Sequence, residues 1–218
     1  MSGKFLNQRY HYNLILFFLN FIYIFVIGLF SEYQNIKTAY YIIISLIYFF
    51  STLTVETSIN RKKHLYFPIA IVILLWIGFL FHLPLLIKIT SFLSTLFFLI
   101  VIVLMVFQIA KSKKIGRLEF LEAVNTYLLF GIAASILFKA VYVIDPNTFT
   151  SSLGTFDSRS DFIYFSFVTL TTLGYGDILP VSAAARSLVV FFSVSGQLYL
   201  TMIIALLVGK YLNAKKIE

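Results

Sequence analysis

Six stretches of this chain run for roughly twenty residues each with little charge: 12–30, 38–55, 65–83, 85–110, 121–144 and 183–212. A helix rises 1.5 Å per residue and bilayer hydrocarbon is about 30 Å thick, so about 20 apolar residues suffice to cross it. Each stretch is therefore expected to be a membrane-spanning helix. Composition agrees: 60% of residues are hydrophobic and 12% charged, about half the charged share of a soluble domain. The 25 phenylalanines and 14 tyrosines suit packing against lipid and its interface.

The basic residues set an orientation. Lys4 and Arg9 precede the first stretch, and Arg61, Lys62 and Lys63 follow the second. Lys111, Lys113, Lys114 and Arg117 follow the fourth, and Lys210, Lys215 and Lys216 close the sixth. Alternating spans bring all of them to one side, which is then cytoplasmic, with both termini inside and the plasma membrane as the default location. The other side keeps Glu32, Lys37, Lys88, Lys139, Asp145, Asp157, Arg159, Asp161, Asp177 and Arg186, close to neutral. The net charge of +8 is thus a topology signal and needs no nucleic-acid partner. MSGKFLNQRYHYN leads into the first stretch without a small-residue cleavage site and reads as a retained span. With no cysteine there is no disulfide or thiolate metal site. His11, His64 and His82 are scattered and form no ligand group, and Trp76 reads as a lipid or packing contact.

KSKKIGRLEF divides the chain into residues 1–115, with four spans, and residues 116–218, with two. In the first part HLPLLIK marks a tight outer turn at Pro84. The last two spans are separated by about 40 residues that begin polar and turn apolar without enough length to cross. A helix over 161–171 would measure about 16 Å, half the hydrocarbon thickness. Ser158 or Ser160 can cap it, with Asp161 favoured by the dipole in its first turn. A half-length helix followed by glycines is a re-entrant loop, which survives at membrane depth only when buried in protein or lining a watery cavity.

The residues closing that loop are TLTTLGYGD, 169–177. Gly174 and Gly176 reach positive φ at little cost, so successive carbonyls can turn to one side while Leu173 and Tyr175 turn to the other. A column of oxygen acceptors without donors suits a dehydrated cation, and Thr172 adds a hydroxyl. One such strand cannot surround an ion. Several copies of the chain about an axis can.

Thr169, Thr171, Thr172, Gly174, Tyr175, Gly176 and Asp177 resemble the signature of the tetrameric potassium channels, the pore-loop cation channels, over about residues 121–212. The resemblance implies an all-α membrane protein with six spans, a pore helix and a filter loop, assembled as a homotetramer that passes K+ passively. It assigns Thr172, Leu173, Gly174, Tyr175 and Gly176 to the filter, with leucine where valine is commoner. Thr171, Asp177, Tyr164 and Phe165 become filter support, with Tyr175 packing outward against Tyr164 and Phe165. Val168 stands where some bacterial relatives carry a glutamate, so a carboxylate pair with Asp177 is absent. Gly196 matches the family's gating hinge, although a glycine here equally serves close helix packing. Gln197 and Thr201 face a water-filled cavity or bond to another helix.

Six spans around such a pore also suggest voltage sensing, for which regularly spaced arginines are needed. The fourth stretch offers only Lys88, and the first three offer no buried acid, so residues 1–115 resemble a sensor domain without its gating charges and voltage dependence should be weak. The basic run at 111–117 can attract anionic headgroups, but topology alone accounts for it. No catalytic constellation or nucleotide loop occurs, so no enzyme activity, small-molecule substrate or cofactor beyond permeant K+ is expected. Other readings are a potassium transporter subunit, which would need several repeats of the motif, a non-selective cation channel, or a non-conducting regulatory subunit.

Overall fold

A computed structural model describes residues 3–30, 36–55, 61–112, 116–152, 154, 156 and 158–215. The expected charges at Glu32, Lys113, Lys114, Asp157 and Lys216 lie outside these residues. So do the side chains of Lys4, Arg61, Lys62, Lys63, His64 and Lys215.

The described chain is mostly helical. Helix α1 (Gly3–Phe21) runs on through a π turn (Ile22–Val26) and a 3-10 turn (Ile27–Phe30). Then follow α2 (Ile36–Thr54), α3 (Arg61–Leu80), α4 (Pro84–Lys111) and α5 (Arg117–Ile144). A 3-10 turn (Pro146–Thr148) and strand β1 (Phe149–Ser151) lead to α6 (Arg159–Leu170), strand β2 (Ile178–Pro180) and α7 (Ala183–Lys215). Among the described residues five segments are long and apolar enough to cross a membrane: Asn7–Phe30, Ile36–Thr54, Pro84–Lys111, Arg117–Ile144 and Ala183–Lys210.

The third expected span is shorter than the sequence suggests. Its apolar part, Leu65–Leu80, rises about 24 Å. Helix α3 stops at Leu80 because the chain turns at once into Pro84, the first residue of α4. Leu83 is extended (φ −89°, ψ 99°), as a residue before proline prefers. His82 takes the left-handed conformation at φ 50° to complete the reversal.

Only five residues separate α4 from α5, so the two helices pack directly against each other. Glu119 accepts the Gly116 N–H at 2.8 Å and the Ser112 hydroxyl at 2.9 Å, which ties the connection to the first turn of α5. The open carbonyls at the end of α4 meet an ammonium from the far end of the chain. Lys210 Nζ on α7 donates to Ile109 O at 3.0 Å, Ala110 O at 2.7 Å and Ser112 O at 2.6 Å. A cation there satisfies orphan acceptors and opposes the helix dipole.

Arg9 was expected to mark the cytoplasmic end of the first span, but it is 8% exposed and faces Glu122 of α5, which is fully buried. Arg9 Nε donates to Glu122 Oε1 at 2.8 Å and Nη2 to Oε2 at 3.0 Å. Asn13 and Gln108 also donate to Glu122, at 3.2 Å and 2.9 Å, and Asn125 donates to the Asn13 carbonyl at 2.8 Å. The buried acid absent from the first three spans is thus supplied by α5. Such a charge persists at depth because a bidentate partner and neutral donors fill its acceptor sites.

Where α5, β1, α6 and α7 meet in the C-terminal part, the chain forms an aromatic core. Phe138 of α5 meets Phe149 of β1, Phe165 of α6 and Phe192 of α7, with ring centroids 5.4 to 5.9 Å apart. Strands β1 and β2 pair antiparallel, Phe149 opposite Pro180 and Ser151 opposite Ile178. This short ribbon fastens the two ends of the α6 loop to each other.

Candidate functional site

Helix α6 starts where a reciprocal cap can form. Ser158 Oγ accepts the Asp161 N–H at 3.1 Å, and Asp161 Oδ2 accepts the Ser158 N–H at 2.9 Å. Of the two expected caps, Ser158 is the one used. The buried face carries Phe162, Ile163, Phe165, Val168 and Leu170, and at 1.5 Å per residue the helix is about 18 Å long. Two glycines let its neighbours come close. A Cβ on Gly131 of α5 would overlap the Phe167 ring, and one on Gly196 of α7 would lie 2.5 Å from Leu170 Cδ2. Gly196 therefore serves close packing here, and α7 runs unbroken through it.

The chain leaves α6 by folding back over its last turn. The N–H groups of Thr171 and Thr172 bond to Phe167 O and Thr169 O at 2.9 and 3.1 Å. Those of Leu173 and Gly174 share Val168 O at 3.0 and 3.4 Å. The Thr171 hydroxyl also donates to Phe167 O, at 2.6 Å. From there the backbone alternates: Thr172, Gly174 and Gly176 have φ of 61°, 55° and 80°, whereas Leu173 and Tyr175 do not enter the positive region. The glycines were expected there. Thr172 was not, since a β-branched residue at positive φ is a steric outlier.

Asp177 ends the segment under three constraints. Its Oδ2 accepts the Tyr164 hydroxyl at 2.6 Å, its Oδ1 the Ile178 N–H at 3.1 Å, and its carbonyl the Ser152 N–H at 2.9 Å. The Tyr164 phenol is pushed up to about 12, first by that hydrogen bond to Asp177. Phe165 turns the other way, into the aromatic core against Phe138 and Phe149. The expected packing of Tyr175 against Tyr164 and Phe165 does not occur within the chain: no ring among the described residues touches Tyr175. Residues 171–176 are all exposed, with Leu173 at 58% and Tyr175 at 67%. The segment is anchored at both ends and bare along its length.

Farther along α7, the Thr201 hydroxyl donates to Gln197 O at 2.9 Å, inside its own helix. Gln197 is half-buried and Thr201 exposed. Neither side chain bonds to another helix among the described residues. They share the open side of α7 with Val194, Leu198 and Met202.

The sequence reading did not single out Gly131 or Glu122, and took Arg159 only as a charge on the non-cytoplasmic side, whereas its guanidinium lies over the Tyr40 and Tyr41 rings. The signal for Glu122 was a carboxylate inside an apolar stretch, which in a membrane helix always demands a partner. Gly131 carried no local signal, because what it accommodates lies on another helix.

A family profile described as "Ion channel" matches residues 126–213. The protein "Two pore potassium channel c" of Oryza sativa subsp. japonica is 33% identical over 90 residues, covering 41% of this chain and 19% of that protein. The chain therefore spans about a fifth of the length of the curated relative it matches. No solved structure matches it.

Proposed function

We propose that the chain is a member of the pore-loop potassium-channel family and one subunit of a potassium-selective channel, with residues 172–176 forming the filter. The observation that carries this reading is the sign alternation of φ at Thr172, Gly174 and Gly176. Alternating left- and right-handed residues turn successive peptide planes the same way, so carbonyl oxygens gather on one side and the Leu173 and Tyr175 side chains on the other. Four such segments around an axis would replace a potassium ion's hydration shell.

In this reading all six segments span the membrane, with the apolar part of α3 the shortest and α6 re-entrant, and both termini lie in the cytoplasm of a cell bounded by the plasma membrane. The exposed Tyr175 ring would be braced by a neighbouring copy, since its own chain leaves it bare. Asp177 would hold the outer mouth through Tyr164. Gln197 and Thr201, on the open side of α7, would border the inner cavity. Bending at Gly196 would lift α7 from Leu170, so the packing and hinge roles of that glycine would describe two states of one contact. Moving a unit charge through 100 mV is worth about 2.3 kcal/mol. With Lys88 the only charge on the outer half of α4, voltage has little to act on.

The test is flux from liposomes containing the purified chain under opposed K+ and Na+ gradients. Potassium efflux that barium blocks is expected, with Na+ flux at least about a hundredfold lower, equivalent to roughly 2.7 kcal/mol of discrimination. Gly174→Ala, which forces an alanine to φ 55° at a cost of about 1–2 kcal/mol per copy, should abolish the selective flux. Equal Na+ flux would mean a non-selective cation channel, and no flux at all would refute conduction by this chain alone.

A further inference from the structure

Arg159 is the first residue of α6, a position where the helix dipole disfavours a cation. The helix has no need of it as a helix, since Ser158 and Asp161 already cap that end. Its side chain reaches away from α6 instead. The guanidinium lies 4.8 Å from the Tyr41 ring centroid and 5.4 Å from that of Tyr40, both on α2. It also donates to the hydroxyl oxygens of Tyr41 and of Tyr23, the latter in the π turn after α1. Ring faces and hydroxyl oxygens together supply the stacking surface and the acceptors that a guanidinium out of water requires. The next residue touches the same part of the chain: a Cβ on Gly28, in the 3-10 turn, would lie 3.8 Å from Ser160 Cβ. The first turn of α6 is thus seated on α2 and on the two turns that follow α1.

The receiving rings are themselves fixed. Tyr23 is fully buried and meets Tyr40 edge-on, with centroids 5.5 Å apart. Tyr41 stacks on Phe79 of α3 at 4.2 Å. At the opposite end of α6, the carbonyls of Phe167, Val168 and Thr169 accept the N–H groups of residues 171–174. One helix, about 18 Å long, therefore runs from the tyrosines to the exposed segment and is gripped at both ends. A rigid element of this kind carries a displacement of one end to the other.

We propose that Arg159 is a positioning residue for the filter: seated on Tyr41, Tyr40 and Tyr23, it holds α6 at the angle that places residues 172–176 for selective conduction. The inference rests on the filter reading above. It gives the N-terminal helices a part in ion selection that needs no gating charge.

Two readouts on the full chain test it. Liposomes under opposed K+ and Na+ gradients give the preference in flux. The thermal midpoint of the purified protein in K+ against Na+ gives a second measure, because an ion held at the filter stabilises the folded assembly. Arg159→Gln should keep the assembly but lower the K+ preference in flux about tenfold, the share of a desolvated cation–π contact, and shrink the K+-specific midpoint shift. Arg159→Lys keeps a charge over the rings but loses the planar fork, and should recover part of both. Tyr41→Leu should match Arg159→Gln, and the double variant should be no worse than either alone. If Arg159→Gln does not fold, Tyr41→Phe, which removes only a hydroxyl, carries the test with a smaller loss in the same direction. An unaltered K+ preference in Arg159→Gln, Tyr41→Leu or Tyr41→Phe, or losses that add in the double variant, would overturn the proposal and leave the filter reading standing. Wild-type protein with neither K+-selective flux nor a K+-specific midpoint shift would overturn both.

Discussion

Tyr164 and Asp177 come from opposite sides of the exposed segment, and their hydrogen bond at 2.6 Å is the side-chain link between α6 and the segment's outer end. Removing only the hydroxyl, in Tyr164→Phe, should leave folding and assembly intact but lower steady-state potassium flux severalfold, because the outer end loses its tether. Asp177→Asn, which keeps an acceptor, should lose less. The phenol is pushed up to about 12 by its bond to Asp177, and a raised value in the folded state favours the protonated donor. The contribution is therefore complete below its ordinary value of about 10 and is lost only as pH rises through about 12. The ratio of wild-type to Tyr164→Phe flux should accordingly stay constant between about pH 6 and 9. A ratio that collapses within that window, or a variant with full flux, would remove the tether from the account. At this scale the sequence was partly transparent. Glycines at 174 and 176 announce a positive φ because only glycine takes it freely. Thr172 takes the same conformation against its own preference, imposed by bonds to the last turn of α6 that no local pattern encodes.

Among the elements, α1 is joined to α5 by polar groups and not only by apolar packing. Breaking one side of a buried ion pair leaves an uncompensated charge and costs about 3–5 kcal/mol, whereas replacing both sides with apolar residues is often close to neutral. Glu122→Gln and Arg9→Met should each markedly lower the thermal midpoint of the purified protein in detergent. The double variant Arg9→Met with Glu122→Leu should recover much of the loss. Additive losses in the double variant would show that the two residues act separately. The elements themselves were largely legible, since each helix long enough to cross announces itself by a long, predominantly apolar run and the cap at Ser158 follows a local rule. The Arg9–Glu122 pair was not, because its members stand 113 positions apart and a basic residue flanking a span looks the same whether it faces headgroups or a buried acid. The turn at Pro84 was legible, but the end of α3 at Leu80 was not, because Phe81 and Leu83 are apolar and hydropathy does not separate turn residues from the helix before them.

For the whole molecule, the face left open matters more than the core. Residues 171–176 and the outward side of α7, including Val190, Val194, Leu198 and Met202, are exposed together. An apolar helix face next to a bare loop carrying Tyr175 is a surface with two natural covers, lipid or other copies of the same chain. Lipid would leave the polar backbone of 172–176 without partners at membrane depth, which is not tolerated. In the proposed reading, copies arranged about an axis would enclose that backbone around water and ions, and cyclic symmetry would let one surface serve every contact. The reading of four subunits predicts a particle of about 100 kDa, four times the chain's 25.0 kDa, by native mass spectrometry after detergent removal. Leu198→Lys, which places a charge on the open face of α7, should shift the distribution toward single chains while the individual helices persist by circular dichroism. Lys111→Gln, at the far end of α4, should leave it unchanged. A dominant mass at two copies would favour an arrangement in which each chain contributes more than one loop to a pore, and since this chain has a single TLTTLGYGD segment, that outcome would defeat the closed four-fold filter. Monomers in wild type that still carry selective potassium flux would defeat it as well, because a single segment cannot surround an ion.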